Sequence, residues 1–415
     1  MQTRTSISLL TICSVFAGFS AEAAPVPVPV APQSPFELSV SGLIGYDDNL
    51  YLVDTGGLKD IGSTVSAAAV KISAKFPTGV SFVYAPTVST YWDESKEDNV
   101  KHVLSAVWIK KLDALSMNTA IEFALVDGDG RGVNYGAYGS AFSTASPRER
   151  RDQWQNKSDL ALRYDTVAGF VRGVGKLQYW DMLTAAAGTA NYVDRYDIQG
   201  GLDFGRSFTK GGPEYYLGYR NGYQFQDNDF NSVSRKNASN HYDRYLVGVE
   251  GKLRTDLKLN AQAGWAIHSY AESALVYAGT HREEGLYTDV ALTWTVNPND
   301  ELQFKTAQCR TVSSTGTNSF LSSLYQVAWK HLINKQWSTN LTGRLSEAEY
   351  SPAARDDFDY AAILGVTYNV TANLSGTFTL SQNLGLNNHN AISGATEKDR
   401  EFEREFVSLA LTWKL

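Results

Sequence analysis

The amino-acid sequence predicts an all-β protein, a transmembrane antiparallel up-and-down β-barrel of about 18 strands, with 16 strands as the alternative. Three observations predict this fold. Apolar and polar residues alternate over stretches of about ten residues, the length of strand that crosses a bilayer at a tilt. Short turns and long polar loops follow one another along the chain, and aromatic residues flank both kinds of connection, as at the two interfaces of a membrane barrel.

Composition excludes several other classes of protein. The 415 residues are 43% apolar and 20% charged, which is too apolar for a disordered chain. The net charge of −7 argues against nucleic acid as a partner. The longest apolar run, residues 7–19, is shorter than the ~20 residues of a transmembrane helix.

The N-terminal residues have the pattern of a secretory signal peptide. Arg4 supplies a positive charge, an apolar run follows, and Ala21 and Ala23 form a cleavage signal, so we predict a signal peptide over residues 1–23. Alternating prolines then predict an extended periplasmic segment over residues 24–35. The barrel is predicted to occupy residues 36–415. Because Cys13 lies in the signal, Cys309 would be the only thiol of the mature chain.

The first and last predicted strands show the two-residue period most clearly. Val407, Leu409, Leu411 and Trp413 share one face of the last strand. The apolar positions of the strand that starts at Phe36 have the same parity, so we expect the two strands to pair and close the barrel. The predicted strands begin near Phe36, Thr64, Val80, Val100, Leu115, Asn156, Gly169, Tyr192, Pro213, Tyr242, Leu257, Gly285, Glu301, Phe320, Lys335, Phe358, Ala372 and Glu403.

Connections and aromatic residues predict how the barrel is oriented. Short turns such as Pro77-Thr78-Gly79 alternate with long loops such as residues 127–154 and 387–400, which predicts periplasmic turns and extracellular loops. Two aromatic girdles are expected, one beside the turns and one beside the loops. The turn-side girdle is Trp294, Trp337, Tyr368 and Trp413, and the loop-side girdle is Tyr46, Trp92, Tyr179, Trp180, Tyr223, Tyr270 and Tyr350.

The first strand ends in the sequence Gly45-Tyr46-Asp47-Asp48-Asn49-Leu50, which resembles the opening strand of the outer-membrane β-barrel porins. Some members of that family accompany exopolysaccharide loci in Gram-negative bacteria. The resemblance implies a channel in the bacterial outer membrane and names no solute. The partners then expected are outer-membrane lipid and lipopolysaccharide, the barrel-assembly machinery through the C-terminal strand, and small solutes or a polysaccharide.

Little in the sequence points to catalysis. Asp47 and Asp48 could suggest paired catalytic carboxylates, but neighbours on one strand face opposite sides, so a turn-initiating role is favoured. The six histidines have no metal-ligand spacing. We therefore predict that the protein is not an enzyme and has no cofactor, no metal site and no catalytic residue.

The predicted interior carries more basic than acidic side chains, which favours passage of anions. The expected channel-lining residues are Lys71, Lys75, Arg163, Arg172, Lys176, Arg195, Arg220, Arg244 and Arg344. The same facing rule also assigns Lys110 and Arg254 to the interior. Loop 127–154 is expected to constrict the lumen through Arg131, Arg148, Arg150 and Arg151, or else to cap the surface.

The predicted function is passive passage of small hydrophilic, preferentially anionic solutes, or export of an anionic polysaccharide. A structural or adhesive barrel without an open pore is the alternative, and a surface hydrolase is a third possibility.

Overall fold

The computed structural model describes residues 35–50, 61–127, 153–182, 194–209, 211–226, 238–270, 281–312, 319–350, 355–389 and 401–415. The predicted signal peptide, the Pro-rich segment up to residue 34 and loop residues 128–152 lie outside the described residues. The strands are β1 (Phe36–Asp47), β2 (Ser63–Lys75), β3 (Val80–Tyr91), β4 (Asn99–Leu112), β5 (Leu115–Asp127), β6 (Gln153–Asp165), β7 (Phe170–Met182), β8 (Arg195–Ser207), β9 (Glu214–Gln226), β10 (Asn240–Arg254), β11 (Leu257–Tyr270), β12 (Arg282–Asn297), β13 (Asp300–Val312), β14 (Ser319–Leu332), β15 (Trp337–Tyr350), β16 (Arg355–Asn369), β17 (Leu374–His389) and β18 (Phe402–Lys414).

The strands form one closed antiparallel barrel. Each strand pairs with its neighbours in sequence, and β1 pairs with both β2 and β18. The predicted up-and-down barrel of 18 strands is therefore confirmed, and the 16-strand alternative is wrong. A short 3₁₀ turn, Ser95–Glu97, follows β3. Among the described residues, no helix is long and apolar enough to cross a membrane.

Apolar side chains cover the outside of the barrel. Val40 lies opposite Trp413 and Ile44 lies opposite Leu409, so the apolar faces of the first and last strands continue into each other as predicted. Leu217 is 65% exposed on the same outer face. Since alternate residues of a strand point to opposite sides, the pleat sends the polar residues inward. The result is the apolar exterior of a transmembrane barrel.

Tight turns join the strands at one end of the barrel. Gly79 has a φ of +84°, and a Cβ there would lie 2.0 Å from the carbonyl oxygen of Ile109, so only glycine fits this turn. Asp113 has a φ of +47° in the two-residue turn between β4 and β5, where aspartate tolerates the left-handed conformation. The backbone N–H of Leu415 donates to the carbonyl of Leu38 at this same end, which places the C-terminus on the turn side.

Two aromatic residues predicted for the loop-side girdle face the interior instead. The Trp180 ring lies under the guanidinium of Arg195, 4.2 Å from its centroid. Tyr270 is 6% exposed, and its hydroxyl donates to Glu283. The prediction is wrong for these two residues because both rings pack among other side chains inside the loop end of the barrel.

Two basic residues predicted for the interior lie elsewhere. Lys110 is opposite Met117, on the outward face that also carries Trp108, because residues 107–112 do not alternate cleanly. A β-bulge between Lys252 and Arg254 shifts the facing of the second residue. The Arg254 guanidinium binds Asp256 in the adjacent turn at 2.7 Å and is largely exposed.

Candidate functional site

An open cavity of about 1180 Å³ lies inside the barrel, lined by residues from β5 round to β14. Most of its lining residues are polar, and basic side chains outnumber acidic ones. The basic side chains are Lys157, Arg172, Lys176, Arg220, Arg244, Lys252, Lys258 and Lys305, and the acidic ones are Asp159, Asp203, Glu214, Glu250 and Asp289.

Carboxylates bind the arginines on β6 and β7. Both terminal nitrogens of Arg163 reach the two oxygens of Glu214, at 2.5 and 2.7 Å. Arg172 donates from Nε to Asp203 at 2.9 Å and from Nη1 to Glu250 at 2.7 Å. Such forked pairs fix both geometry and charge. These two guanidinium groups are therefore largely neutralised by the wall itself.

Arg220 joins the same cluster from β9. Its Nη1 lies 2.6 Å from Oδ1 of Asp203, a carboxylate with no exposed surface. One buried aspartate thus holds two arginines from different strands. Removing a single partner would leave an uncompensated buried charge, so we expect loss of one arginine alone to destabilise the wall.

The remaining predicted arginines are also bound by neighbouring groups. Arg244 donates to Gln199 at 2.9 Å, and its guanidinium lies over the rings of Tyr242 and Tyr287. Arg195 donates to the carbonyl of Val312 at 2.7 Å. Arg344, on β15, forms an ion pair with Asp359.

The lysines of the interior are placed differently. Lys176, Lys252 and Lys305 line the cavity, and within the described ranges they make no ion pair. Lys71 and Lys75 share the inward face of β2, near its turn end, and are exposed. Lys157 is an exception, since its Nζ lies 3.5 Å from Oε1 of Glu122. Lys176, Lys252 and Lys305 thus line the cavity without an ion pair among the described residues, in contrast to the arginines.

Tyrosines fill the space above inward-facing glycines on β9 and β10. A Cβ on Gly222 would lie 2.2 Å from Cζ of Tyr242, and one on Gly248 would lie 2.0 Å from Cζ of Tyr216. The two glycines thus make room for rings that pack along the wall. Towards the loops the interior is closely packed, since Gln226 and His268 are at most 2% exposed.

The predicted constriction residues Arg131, Arg148, Arg150 and Arg151 lie outside the described residues, so their role stays a prediction. Within the described part of the chain, no group of three or more His, Cys, Asp or Glu side chains could hold a metal ion.

The Asp-Asp-Asn sequence of the first strand binds β18. Asp47 faces inward and forms a forked ion pair with Arg404, with both contacts at 2.5 Å. Asp48 accepts the backbone N–H of Glu405 at 2.6 Å, and Asn49 donates to the carbonyl of Glu403 at 2.6 Å. The sequence predicted a turn-initiating role and did not predict these contacts, which join the first and last strands of the sheet.

Sequence reasoning also missed Arg404 itself. The apolar residues from Val407 onward define the outward face of β18, and extending their parity back along the strand assigns Arg404 to the interior. The parity of β18 thus predicts that Arg404 faces inward, but it does not predict which carboxylate Arg404 binds.

Comparison with known proteins supports a porin family. Residues 226–414 match the model of a family described as "Putative beta-barrel porin 2". The match begins at the end of β9, whereas the Gly-Tyr-Asp-Asp-Asn resemblance lies in β1, so different parts of the chain point to β-barrel porins. The resemblance predicted from the first strand is thereby confirmed. No curated protein sequence matches the chain.

Solved structures with a similar arrangement of strands include three receptors. The siderophore receptor PirA from Acinetobacter baumannii is 8% identical with a TM-score of 0.43, over 92% of this chain and 81% of that one. A Q482A mutant of the ferric enterobactin receptor PfeA from Pseudomonas aeruginosa, in complex with enterobactin, is 8% identical with a TM-score of 0.43, over 92% and 82%. The ferric-catecholate import receptor Fiu from E. coli K12 is 8% identical with a TM-score of 0.39, over 91% and 81%.

Proposed function

We propose that this chain is a passive channel of the bacterial outer membrane and that it favours small hydrophilic anions. The observation that carries the proposal is the difference between the two kinds of basic residue in the lumen. The arginines are bound to carboxylates, amides or carbonyls, whereas Lys176, Lys252 and Lys305 face the cavity without an ion pair among the described residues. Fixed positive charge at a pore wall raises the local concentration of anions.

The shape of the interior favours small solutes over a polysaccharide chain. Inward-facing lysines near the turns, such as Lys71 and Lys330, are exposed, whereas inward side chains near the loops are buried. The interior is therefore more open near the turns, which we place in the periplasm, than near the loops. A polymer would need comparable width along the whole path.

Reversal potentials in a planar bilayer with a KCl gradient test this proposal. The purified protein should conduct, and its reversal potential should indicate preference for chloride over potassium. The double variant K176E/K305E should shift the potential towards potassium, because two positive charges in the cavity become negative.

The matched control is K110E/K335E, which makes the same change in charge outside the cavity. Lys110 faces outward, and Lys335 lies exposed in the turn before β15. We expect a much smaller shift for this control. A folded protein that does not conduct would favour the structural or adhesive barrel. Equal shifts of the reversal potential in both double variants would show that Lys176 and Lys305 do not determine the selectivity.

A further inference from the structure

Strands β12 and β13 separate near the loop end of the barrel. Their register ends where Thr288 lies opposite Gln308, although β12 extends to Arg282 and β13 to Val312. Over this stretch β12 stays paired with β11, and β13 stays paired with β14 as far as Val312 opposite Ser319. The backbone pairing between β12 and β13 therefore stops short of the loop end, although each of the two strands keeps its other neighbour there.

The loop end of β13, still paired with β14, leans into the lumen and contacts the wall formed by β8 and β9. The carbonyl of Arg310 accepts a hydrogen bond from Nε2 of Gln224 at 3.2 Å, and the carbonyl of Val312 accepts one from Nη1 of Arg195 at 2.7 Å. Strands β10, β11 and β12 lie between β9 and β13 in the sheet, so this contact crosses the interior. Burying a carbonyl without a hydrogen bond costs free energy. The side chains of Gln224 and Arg195 therefore supply the hydrogen bonds that β12 does not make to these two carbonyls.

Other contacts hold the end of β13 in this position. Arg310 lies 3.1 Å from the carboxylate of Glu283 on β12, across the stretch where the two strands do not pair. The hydroxyl of Tyr270 donates to Glu283 at 2.7 Å and contacts Ser319 at 3.1 Å. Val312, 3% exposed, packs with Tyr270. The inward position is thus built by polar and apolar contacts together.

We propose that the inward end of β13 is a constriction of the permeation path, with Arg195 and Gln224 as its positioning residues. The proposal rests on the channel function proposed above. A strand end that crosses to β8 and β9 removes part of the cross-section between the loops and the lysine-lined cavity. Solutes that enter from the loop side must pass beside it, so its position limits their size.

The variant R195A/Q224A tests this proposal. It removes both hydrogen bonds to β13, and the expected result is higher single-channel conductance and passage of larger neutral polymers. The matched control is R206A/N221A, which removes an arginine from β8 and an amide from β9 on their outward faces. Heat-modifiable migration checks that each variant is folded, and the single variant Q224A replaces the double variant if that one fails to fold.

Cys309 provides a readout that does not depend on conductance. It lies on β13 next to Arg310, and in a C13S background it is the only thiol of the chain. Labelling by a charged methanethiosulfonate reagent should be roughly tenfold faster in R195A/Q224A, the change that loss of one or two hydrogen bonds can produce. The control variant should label at the original rate.

The two readouts separate the ways in which the proposal could fail. Faster labelling with unchanged conductance would show that β13 is released but does not limit permeation. Unchanged labelling and conductance would show that Arg195 and Gln224 do not hold the strand. If the unaltered protein does not conduct, the channel function and the constriction both fall, and the labelling rates then report only on how β13 is held.

Discussion

Replacing Arg404 by methionine should destabilise the barrel at the seam between its first and last strands. The side chains of Arg404 and Asp47 are at most 2% exposed and are joined by two contacts of 2.5 Å. The substitution leaves the Asp47 carboxylate buried without its counter-charge. Breaking a buried pair in this way costs about 3–5 kcal/mol.

The assay is unfolding of the detergent-solubilised barrel in urea, followed by tryptophan fluorescence and heat-modifiable migration. The free energy of unfolding of R404M should fall by about 3–5 kcal/mol. The double variant D47L/R404M should recover part of this loss, because no unpaired charge then remains. The coupling measured by the double-mutant cycle isolates the pair from the effects of side-chain volume.

An exposed arginine–aspartate ion pair in the same chain provides a matched control for the R404M substitution. Arg254 and Asp256 lie 2.7 Å apart beside a turn, with the arginine side chain 60% exposed. Exposed ion pairs contribute little, so R254M should unfold like the unaltered protein. Equal destabilisation by R404M and R254M would refute the claim that burial gives the seam pair its importance.

Three further predictions concern the packing and the charge of the interior. Gly222→Val should lower the free energy of unfolding by about 1–3 kcal/mol through overpacking against Tyr242, whereas Gly200→Val, with open space around its Cβ, should not. Arg172→Met should lower it by about 1–3 kcal/mol, since its two carboxylate partners lose charged hydrogen bonds; an unchanged urea midpoint would contradict this. Anion preference should weaken between 0.1 M and 1 M KCl, as the Debye length falls from about 10 Å to about 3 Å, and a reversal potential without such salt dependence would argue against selection by fixed charge.

The strands could be predicted from the sequence because the membrane imposes a simple rule. One face of each strand meets lipid and must be apolar, so a period of two residues marks every span. The predicted starts lie within three residues of the observed ones, from Phe36 in β1 to the predicted Glu403 against Phe402 in β18. Predictions of facing failed where lipid contact alone does not decide the residue type. They failed at the bulge before Arg254 and in the packed interior around Trp180.

The partners inside the lumen could not be predicted from the same rule. Arg163 on β6 binds Glu214 on β9, and which carboxylate an arginine reaches depends on side-chain length and on the curvature of the wall. The inward lean of β13 depends on where its register with β12 ends, and no residue of β13 marks that point in the sequence. The sequence thus predicts whether a side chain faces the lipid or the interior. Contacts across the interior depend on the closed shape of the barrel.

The chemistry of the two basic side chains explains why arginines and lysines have different surroundings in the lumen. A guanidinium group offers a planar fork that matches a carboxylate, so arginine suits fixed pairs such as Arg172 with Asp203. An ammonium group is a compact charge on a flexible stem, and Lys176 and Lys305 line the cavity without an ion pair among the described residues. The arginines are thus bound into the wall of the barrel, and under the proposed function the positive charge that a solute meets comes from Lys176, Lys252 and Lys305.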